Sequence, residues 1–322
     1  MNVLVYGCGV ISSYLVNVLC EAGNDVTVIS RGRRRKLLEE HGLEVYHLLQ
    51  KKTTQDHPRI SEAPTGEYDA VFCVMQGQQH FTLLEELAGL HTPLVILVGN
   101  NPHAAKAEEI FRRHASPDTS LLFGFQATAG VREEKRTVCI RAGRSGLTVG
   151  GLHREPGVKE LGILSQIFAG TGYALTKCDD MEGWLYSHAA VILPIVYLCY
   201  RYDCDLRQAK REDIREMLEA EKEAYALLAH KGIRIRPKGD EEFFQSPAKM
   251  KILEYAMYIM AKTVIGELAA SDHCRNAPQE MYWIDQCFEE LRDENMPMPV
   301  WERMHAQMPA WNTILETYGK KE

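Results

Sequence analysis

The sequence predicts an α/β protein with an N-terminal Rossmann-type domain, built on a parallel sheet, and an all-α C-terminal domain. Short apolar runs alternate with helical patterns in the first half, as in a parallel sheet with crossover helices. Strand-like runs stop near residue 179, and long helical stretches follow. The 322 residues, 45% of them hydrophobic, suffice for about two domains. We therefore predict domains at 1–178 and 179–322.

The individual elements follow from these patterns. The predicted strands of the first domain are Val3 to Tyr6, Asp25 to Ile29, Ala70 to Val74, Leu94 to Val98, Leu121 to Phe123 and Tyr173 to Thr176. Glycines between Thr137 to Ala142 and Leu147 to Gly150 predict a hairpin. The predicted helices are Val10 to Glu21, Arg33 to His41, Gln78 to Leu87, Pro102 to His114, Val158 to Ala169, Met181 to Tyr202, Arg211 to His230, Pro247 to Ala270 and Pro278 to Asn295. We expect Pro194 to kink or interrupt its helix.

A glycine-rich turn joins the first strand to the first helix. A dinucleotide pyrophosphate binds bare backbone amides at a helix N-terminus, where the helix dipole is positive. Gly7 is suited to the tight turn and Gly9 to close approach of the phosphates. The residues that we assign to this ligand are Gly7, Cys8, Gly9, Val10, Ile11 and Ser12. Ser12 stands where a glycine or alanine is usual, and a purely structural turn is the alternative.

The end of the second strand indicates which dinucleotide binds. An NAD site usually has an acidic residue about 20 positions after the glycines, for the ribose 2′-hydroxyl. This chain has Ser30 and Arg31 there, and no carboxylate before Glu39. A guanidinium binds a 2′-phosphate through two parallel hydrogen bonds. We therefore predict NADP(H), bound by Ser30 and Arg31 with help from Arg33, while the basic residues 34–36 are read as solvated.

Composition excludes several functional classes. The net charge of −7, without a basic stripe, argues against nucleic-acid binding. Nine scattered cysteines without zinc-ligand spacing indicate reduced thiols and no metal site. The N-terminus enters a core strand at once, and we see no apolar run of membrane-spanning length. We therefore expect a cytoplasmic protein that binds neither nucleic acid nor membrane.

The order of these motifs resembles the ketopantoate reductase (2-dehydropantoate 2-reductase) family. The glycine turn and Arg31 match its cofactor motif. The family has a lysine and a glutamine after the third core strand, where this chain has Gln76 and Gln79. Its asparagine after the next strand is matched by Asn100, and the resemblance implies cofactor and substrate contacts for it. Ordinary turn chemistry is the alternative for Asn100.

In the helical domain the same resemblance implies a divergent member of the family, which lacks the family's catalytic lysine. The family's general acid is a lysine two residues after a tryptophan, and here that position is Tyr186, after Trp184. The positions of two substrate-binding asparagines hold Ala190 and Pro194. Reduction of a carbonyl still requires a proton donor, and Tyr186 and His188 are the local candidates. They lie about 200° apart on a helix, so they cannot both face one site, and a packed tyrosine is an open alternative.

An acidic residue that orients the family's substrate is matched by Glu280, which would otherwise be a first-turn carboxylate complementing the helix dipole. Ser271, Asp272 and His273 are weaker candidates for polar lining. The Met and aromatic positions around Tyr255 to Ile265 indicate plain core or a dimer interface.

These observations lead to two hypotheses. The first is an NADP(H)-dependent oxidoreductase that transfers a hydride to or from a small carbonyl or hydroxy substrate in the interdomain cleft, not ketopantoate itself, in a protein that forms a homodimer. The second is a non-catalytic NADP(H)-binding sensor or regulatory protein, which the absence of the lysine favours.

Overall fold

The computed structural model describes residues 1–141 and 143–319. Ala142 and residues 320–322, where one predicted strand and the second predicted domain end, lie outside the described residues. The chain forms two compact units, Met1–Met181 and Glu182–Glu322. The first combines sheets and helices and the second is helical, so the predicted α/β class is confirmed.

The strands of the first unit alternate with its helices. They are β1 (Asn2–Tyr6), β2 (Asp25–Ile29), β3 (Leu43–His47), β4 (Lys52–Asp56), β5 (Arg59–Ser61), β6 (Ala70–Val74), β7 (Leu94–Val98), β8 (Ser120–Gln126), β9 (Ala129–Arg132), β10 (Arg136–Ile140), β11 (Gly146–Gly150) and β12 (Ala174–Lys177). The helices are α1 (Val10–Glu21), α2 (Gly32–His41), α3 (Gly77–His80), α4 (Leu84–Ala88), α5 (Ala104–His114) and α6 (Val158–Ile167).

The main sheet has eight strands in the order β12-β11-β8-β7-β6-β1-β2-β5, all parallel to their neighbours except the pair β8 and β11. β6 and β7 are buried along their whole length, which explains why they read as continuous apolar runs. The carboxyl ends of β1, β2, β6 and β7 meet at one edge, where ligands of open α/β sheets bind.

The structure contains a second sheet that the sequence patterns did not predict, with the strand order β4-β3-β10-β9. β10 pairs with β3 and β9 here, whereas β11 belongs to the main sheet. The predicted hairpin between the strands at residues 137–142 and 147–150 is therefore wrong. Both strands exist, but they belong to different sheets. Sequence periodicity predicts a strand without indicating which strand it pairs with.

The helices of the second unit begin with α7 (Met181–Arg201), whose first residue is the last of the first unit. The others are α8 (Arg211–His230), α9 (Glu242–Gln245), α10 (Pro247–Ala261), α11 (Val264–Gly266), α12 (Asp272–Asn276), α13 (Pro278–Glu289), α14 (Pro299–Gln307) and α15 (Trp311–Tyr318). A 3₁₀ turn spans Leu206–Gln208, and a π-helical turn spans Glu267–Ser271.

Three predicted helices need correction. The helix predicted from Gln78 to Leu87 is broken into α3 and α4. The helix predicted from Pro247 to Ala270 ends at Ala261, because Thr263 caps a new turn with its side chain. α7 is not interrupted at Pro194, which lies inside the helix.

α7 is the one helix in the described part of the chain that is long and apolar enough to cross a membrane, with a mean hydropathy of 1.3. The expectation that the chain has no apolar run of membrane-spanning length is therefore wrong, because α7 has that length and composition. However, 67% of this apolar stretch is buried inside the protein, as in the core helix of a soluble protein, which passes the same test. Its residues Leu193, Tyr197 and Leu198 belong to the core of the second unit. The cytoplasmic location stays a prediction.

α10 turns an apolar face outward. Ile252, Tyr255 and Ile259 are 70%, 57% and 46% exposed. Their spacing places them on one side of the helix, which fits the predicted dimer interface better than plain core. The homodimer stays a prediction.

We expect Glu221→Gln to stabilise the protein at pH 8 by about 1–3 kcal/mol, because a neutral amide replaces a buried carboxyl that would ionise in the unfolded chain. Glu221 on α8 is 3% exposed, and its Oε1 has no hydrogen-bond partner among the described residues. Burial raises the pKa of this carboxyl well above its ordinary value. A raised pKa in the folded state means that stability is lost as the pH rises above the pKa of the unfolded chain.

Urea unfolding of both proteins at pH 8 and pH 4 measures this effect. The advantage of the variant should shrink toward pH 4, where the wild-type carboxyl is protonated in the folded state and mostly protonated in the unfolded chain. Glu219→Gln, a half-exposed position on the same helix, is the matched control and should change little. A difference that is the same at both pH values would contradict the assignment.

Candidate functional site

The turn between β1 and α1 is fixed by close packing at Gly7. Gly7 has a φ of 93°, a conformation that side chains disfavour. A Cβ there would lie 2.7 Å from the carbonyl oxygen of Val74, at the end of β6. The fold itself therefore requires glycine at this position.

Gly9 differs, because nothing in the fold requires it to be glycine. It is the N-cap of α1, with an ordinary φ of −82°. The nearest atom to a Cβ there would be Ser12 Oγ, 4.0 Å away. The hydroxyls of Ser12 and Ser13 donate hydrogen bonds to the Gly9 carbonyl, at 3.2 and 2.6 Å. No side chain among the described residues caps α1, so its first amides are left without an intrahelical or capping partner.

The basic cluster after β2 is divided among several partners. Arg31 is the N-cap of α2 and is exposed, and its side chain makes no hydrogen bond or ion pair within residues 1–141 and 143–319. Arg33 instead pairs with Glu134, and Arg35 with Glu39 and Glu62. Ser30 is 7% exposed, and its amide donates to the Ser61 carbonyl at 3.0 Å.

Arg34 turns back toward the glycine turn. Its Nη2 lies 3.7 Å from Cys8 Sγ, and its buried Nε has no partner in the described part of the chain. Reading Arg34 as a solvated residue missed this contact. The signal available in the sequence was its spacing of three from Arg31, which places the two on neighbouring positions of one helical turn.

The ends of β6 and β7 are held together at Gly99. This residue has a φ of 141°, and a Cβ would lie 2.6 Å from the Met75 carbonyl oxygen. Asn100 follows and is half-buried. Asn101 is 1% exposed, and its carboxamide has no partner in residues 1–141 and 143–319. Sequence reasoning selected Asn100 and missed Asn101.

The two glutamines predicted to bind the cofactor, Gln76 and Gln79, lie at the start of α3 and within it. Gln76 is the N-cap of α3, and its side-chain oxygen accepts a hydrogen bond of 2.7 Å from Gln78. Gln79 is exposed. Their backbone places both just after β6, beside the glycine turn in the order of the sheet.

In the second unit, Tyr186 and His188 project from α7 into different surroundings. Tyr186 is 9% exposed within the apolar core, and burial, with the nearby charges of Glu182 and Glu290, raises the pKa of its hydroxyl. His188 stacks on Trp184, with 5.2 Å between ring centroids and 19° between planes. Burial, and a smaller effect of His273, lower the pKa of His188 to about 4.

His273 and Glu280 form a pair on α12 and α13. His273 Nε2 lies 3.1 Å from Glu280 Oε2, and the two side chains are 34% and 6% exposed. Burial alone would lower the pKa of His273, but the hydrogen bond and charge of Glu280 raise it overall. The structure therefore brings His188 and Glu280 together around His273, whereas Tyr186 packs beside Cys287, two turns further along α13. No group of three His, Cys, Asp or Glu suited to a metal ion occurs among the described residues.

Ser271 closes the π-helical turn before α12. Its hydroxyl is fully buried and has no partner in the described ranges. Turns of this kind often occur at functional sites. Asp272 instead pairs with Arg275 at 2.8 Å.

Comparison with known proteins identifies the first unit. Residues 3–154 match the family model described as ketopantoate reductase PanE/ApbA. Over those residues the chain is similar to the ketopantoate reductase family. The resemblance inferred from the glycine turn, Arg31 and Asn100 is thus confirmed. No curated protein matches the sequence.

Solved structures extend the likeness in fold across the whole chain. A PanE/ApbA family ketopantoate reductase from Ralstonia eutropha JMP134 has a TM-score of 0.71 at 15% identity, over 99% of this chain and 100% of that one. A 2-dehydropantoate 2-reductase from Porphyromonas gingivalis W83 has a TM-score of 0.68 at 16% identity, over 95% and 98%. D-mandelate dehydrogenase, solved with NADH and anilino(oxo)acetate, has a TM-score of 0.72 at 15% identity, over 99% and 100%. At such identities these structures establish the ketopantoate reductase fold, and nothing finer.

Proposed function

We propose that the protein is an NADP(H)-dependent oxidoreductase that transfers a hydride to or from a small carbonyl or hydroxy compound other than ketopantoate. The observation that carries the cofactor half is Gly9, a glycine that the fold does not need, at an uncapped helix N-terminus. The family of residues 3–154 supports a nicotinamide cofactor. When bound, the nicotinamide supplies or accepts the hydride.

The residues present fit such a dinucleotide. The turn from Gly7 to Ser12 offers its amides to the pyrophosphate, and the bare Gly9 lets the phosphates approach. Asn100, at the end of β7, would contact the cofactor and substrate, and Gln76 and Gln79 would border the same edge of the sheet. Within the first unit these groups all follow carboxyl ends of neighbouring parallel strands.

We infer a preference for NADP(H) from the two guanidiniums that are not already engaged by carboxylates. Arg31 and Arg34 lie one helical turn apart at the start of α2, and Arg34 contacts Cys8 of the glycine turn. Arg33 and Arg35 are paired with glutamates. A structural neighbour was solved with NADH, so the fold alone does not decide the cofactor.

Gly7→Ala and Gly9→Ala should separate folding from cofactor binding. Gly7→Ala is expected to lower the free energy of unfolding by about 1–3 kcal/mol, because of its φ and the Val74 contact. Gly9→Ala should cost less than about 1 kcal/mol of stability, yet weaken NADPH binding about 10- to 100-fold by crowding the phosphates. Urea unfolding and isothermal titration calorimetry measure the two effects. Unchanged NADPH affinity in a folded Gly9→Ala protein would argue against the proposed pyrophosphate site.

Arg31→Ala should weaken NADPH binding about 10- to 100-fold, the size of a lost hydrogen bond to a charged group, while NADH binding changes little. We expect the same direction for Arg34→Ala. The matched control is Arg33→Ala, whose guanidinium is engaged by Glu134. Fluorescence titration with both nucleotides provides the affinities. Equal losses for NADPH and NADH would show that neither arginine binds the 2′-phosphate.

The substrate half of the proposal rests on the second unit. Where the resembled family has a lysine and two asparagines, this chain has Tyr186, Ala190 and Pro194, and all three are buried. A face this apolar does not offer the polar contacts that ketopantoate would need. A 2-oxo acid derivative bound to the mandelate dehydrogenase neighbour favours testing 2-oxo and 2-hydroxy acids with apolar side chains first.

The same observation favours a second candidate, a non-catalytic NADP(H)-binding sensor or regulatory protein. A panel of 2-oxo acids, ketones and aldehydes, followed by NADPH absorbance at 340 nm, separates the two. We expect turnover for at least one apolar 2-oxo acid and little for ketopantoate. NADPH binding without oxidation of the nucleotide across the panel would support the sensor and contradict the enzyme.

A further inference from the structure

We propose that His273 is the general acid of this reductase, with Glu280 as its positioning residue. This inference rests on the proposed function and replaces Tyr186 and His188 as the proton donor. It assigns to an imidazolium the role that a lysine has in the resembled family.

The pair is built so that one ring nitrogen is anchored and the ring remains accessible. Glu280 comes from the first turn of α13 and is 5% exposed. Its Oε2 lies 3.1 Å from His273 Nε2. A buried carboxylate hydrogen-bonded to one nitrogen fixes the orientation and tautomer of an imidazole, as in hydrolase triads. Because Nε2 is engaged, Nδ1 is the nitrogen left to exchange a proton, and the His273 side chain is 34% exposed.

The charge of Glu280 favours the protonated form of His273. Among the described residues, His273 interacts electrostatically with Glu280 from α13 and with His188 from α7. Glu280 raises the pKa of His273 against the effect of burial, whereas the pKa of His188 is lowered to about 4. His188 is therefore neutral near pH 7 and does not repel an imidazolium, and its ring is held against Trp184.

The other candidates are less suited to donate a proton. Tyr186 has a raised pKa and is packed in the core near Cys287. His188 carries no proton to spare at neutral pH. Glu280 is buried as the hydrogen-bond partner of His273. Of these four residues, His273 alone combines a raised pKa with an anchored and partly exposed imidazole ring.

In the proposed reduction, His273 supplies the proton that the carbonyl oxygen needs after hydride addition. Addition of the hydride to the carbonyl carbon forms a C–H bond, and the electron pair of the C=O π bond moves to oxygen. That oxygen takes the proton from Nδ1 of His273, which forms the alcohol and leaves a neutral imidazole. Solvent reprotonates His273 before the next turnover. In the reverse direction, neutral His273 accepts the hydroxyl proton.

The first test measures the pKa of His273 by NMR titration of its ring in the protein without cofactor. Glu280→Gln should lower this pKa, because the variant removes the negative charge beside Nε2. His230, which lies 3.4 Å from Asp293 outside the cluster, serves as an internal control and should not shift. A pKa of His273 that is the same with and without the Glu280 carboxylate would overturn the pairing. This result does not depend on turnover.

The second test uses kinetics on a substrate found in the panel. His273→Gln should lower kcat about 100-fold or more, the usual size of a general acid effect, with NADPH affinity unchanged. Imidazole added to a His273→Ala protein should restore part of the rate. Wild-type reduction should decline as the pH rises through the pKa of His273, and Glu280→Gln should move that decline to lower pH. His230→Gln should behave as wild type.

The outcomes separate this inference from the proposed function. A His273→Gln enzyme that keeps its rate within about threefold would overturn the inference while leaving the oxidoreductase standing. Absence of turnover in the wild type would contradict the proposed function, and with it a catalytic role for His273. In that case the NMR titration would still decide whether Glu280 holds His273 protonated.

Discussion

The candidate site of the first unit depends on how closely main-chain atoms approach one another at the carboxyl edge of the sheet. Gly7 lies against the carbonyl of Val74, and Gly99 lies against the carbonyl of Met75. Any side chain at either glycine would push β6 away from β1 or from β7. Because these contacts involve backbone alone, the positions of the glycine turn and of Asn100 are set by the sheet and not by neighbouring side chains.

The charged and polar groups of the two units are arranged differently. In the first, uncapped amides and two arginines without carboxylate partners leave positive potential at the strand ends, as an anionic ligand requires. In the second, a buried carboxylate contacts a partly exposed basic group, as at Glu280 and His273. The first arrangement favours binding of a charged molecule, while the second keeps a proton in a defined place.

Much of the fold could be predicted from the sequence, because local patterns encode it. β2, β6, β7, α1 and α8 have the predicted bounds, since each is an apolar or amphipathic run between clear breaks. The second sheet was missed because β4 (Lys-Thr-Thr-Gln-Asp) is mostly polar, and because β3, its neighbour in sequence, pairs on its other side with the distant β10. The glycine turn was readable as a contiguous motif. The placing of His188 near the His273–Glu280 pair was not, since it depends on three helices whose packing no local periodicity specifies.

All nine cysteines are thiols outside any disulfide, and eight of them are buried, with Cys20 the partly exposed exception. Their burial means that a thiol-reactive dye can reach most of them only when the surrounding structure opens. Five lie in the first unit and four in the second. The chain thus carries a native set of reporters for local unfolding in each unit, and mass spectrometry of labelled peptides would show which unit loosens first and which one a bound nucleotide tightens.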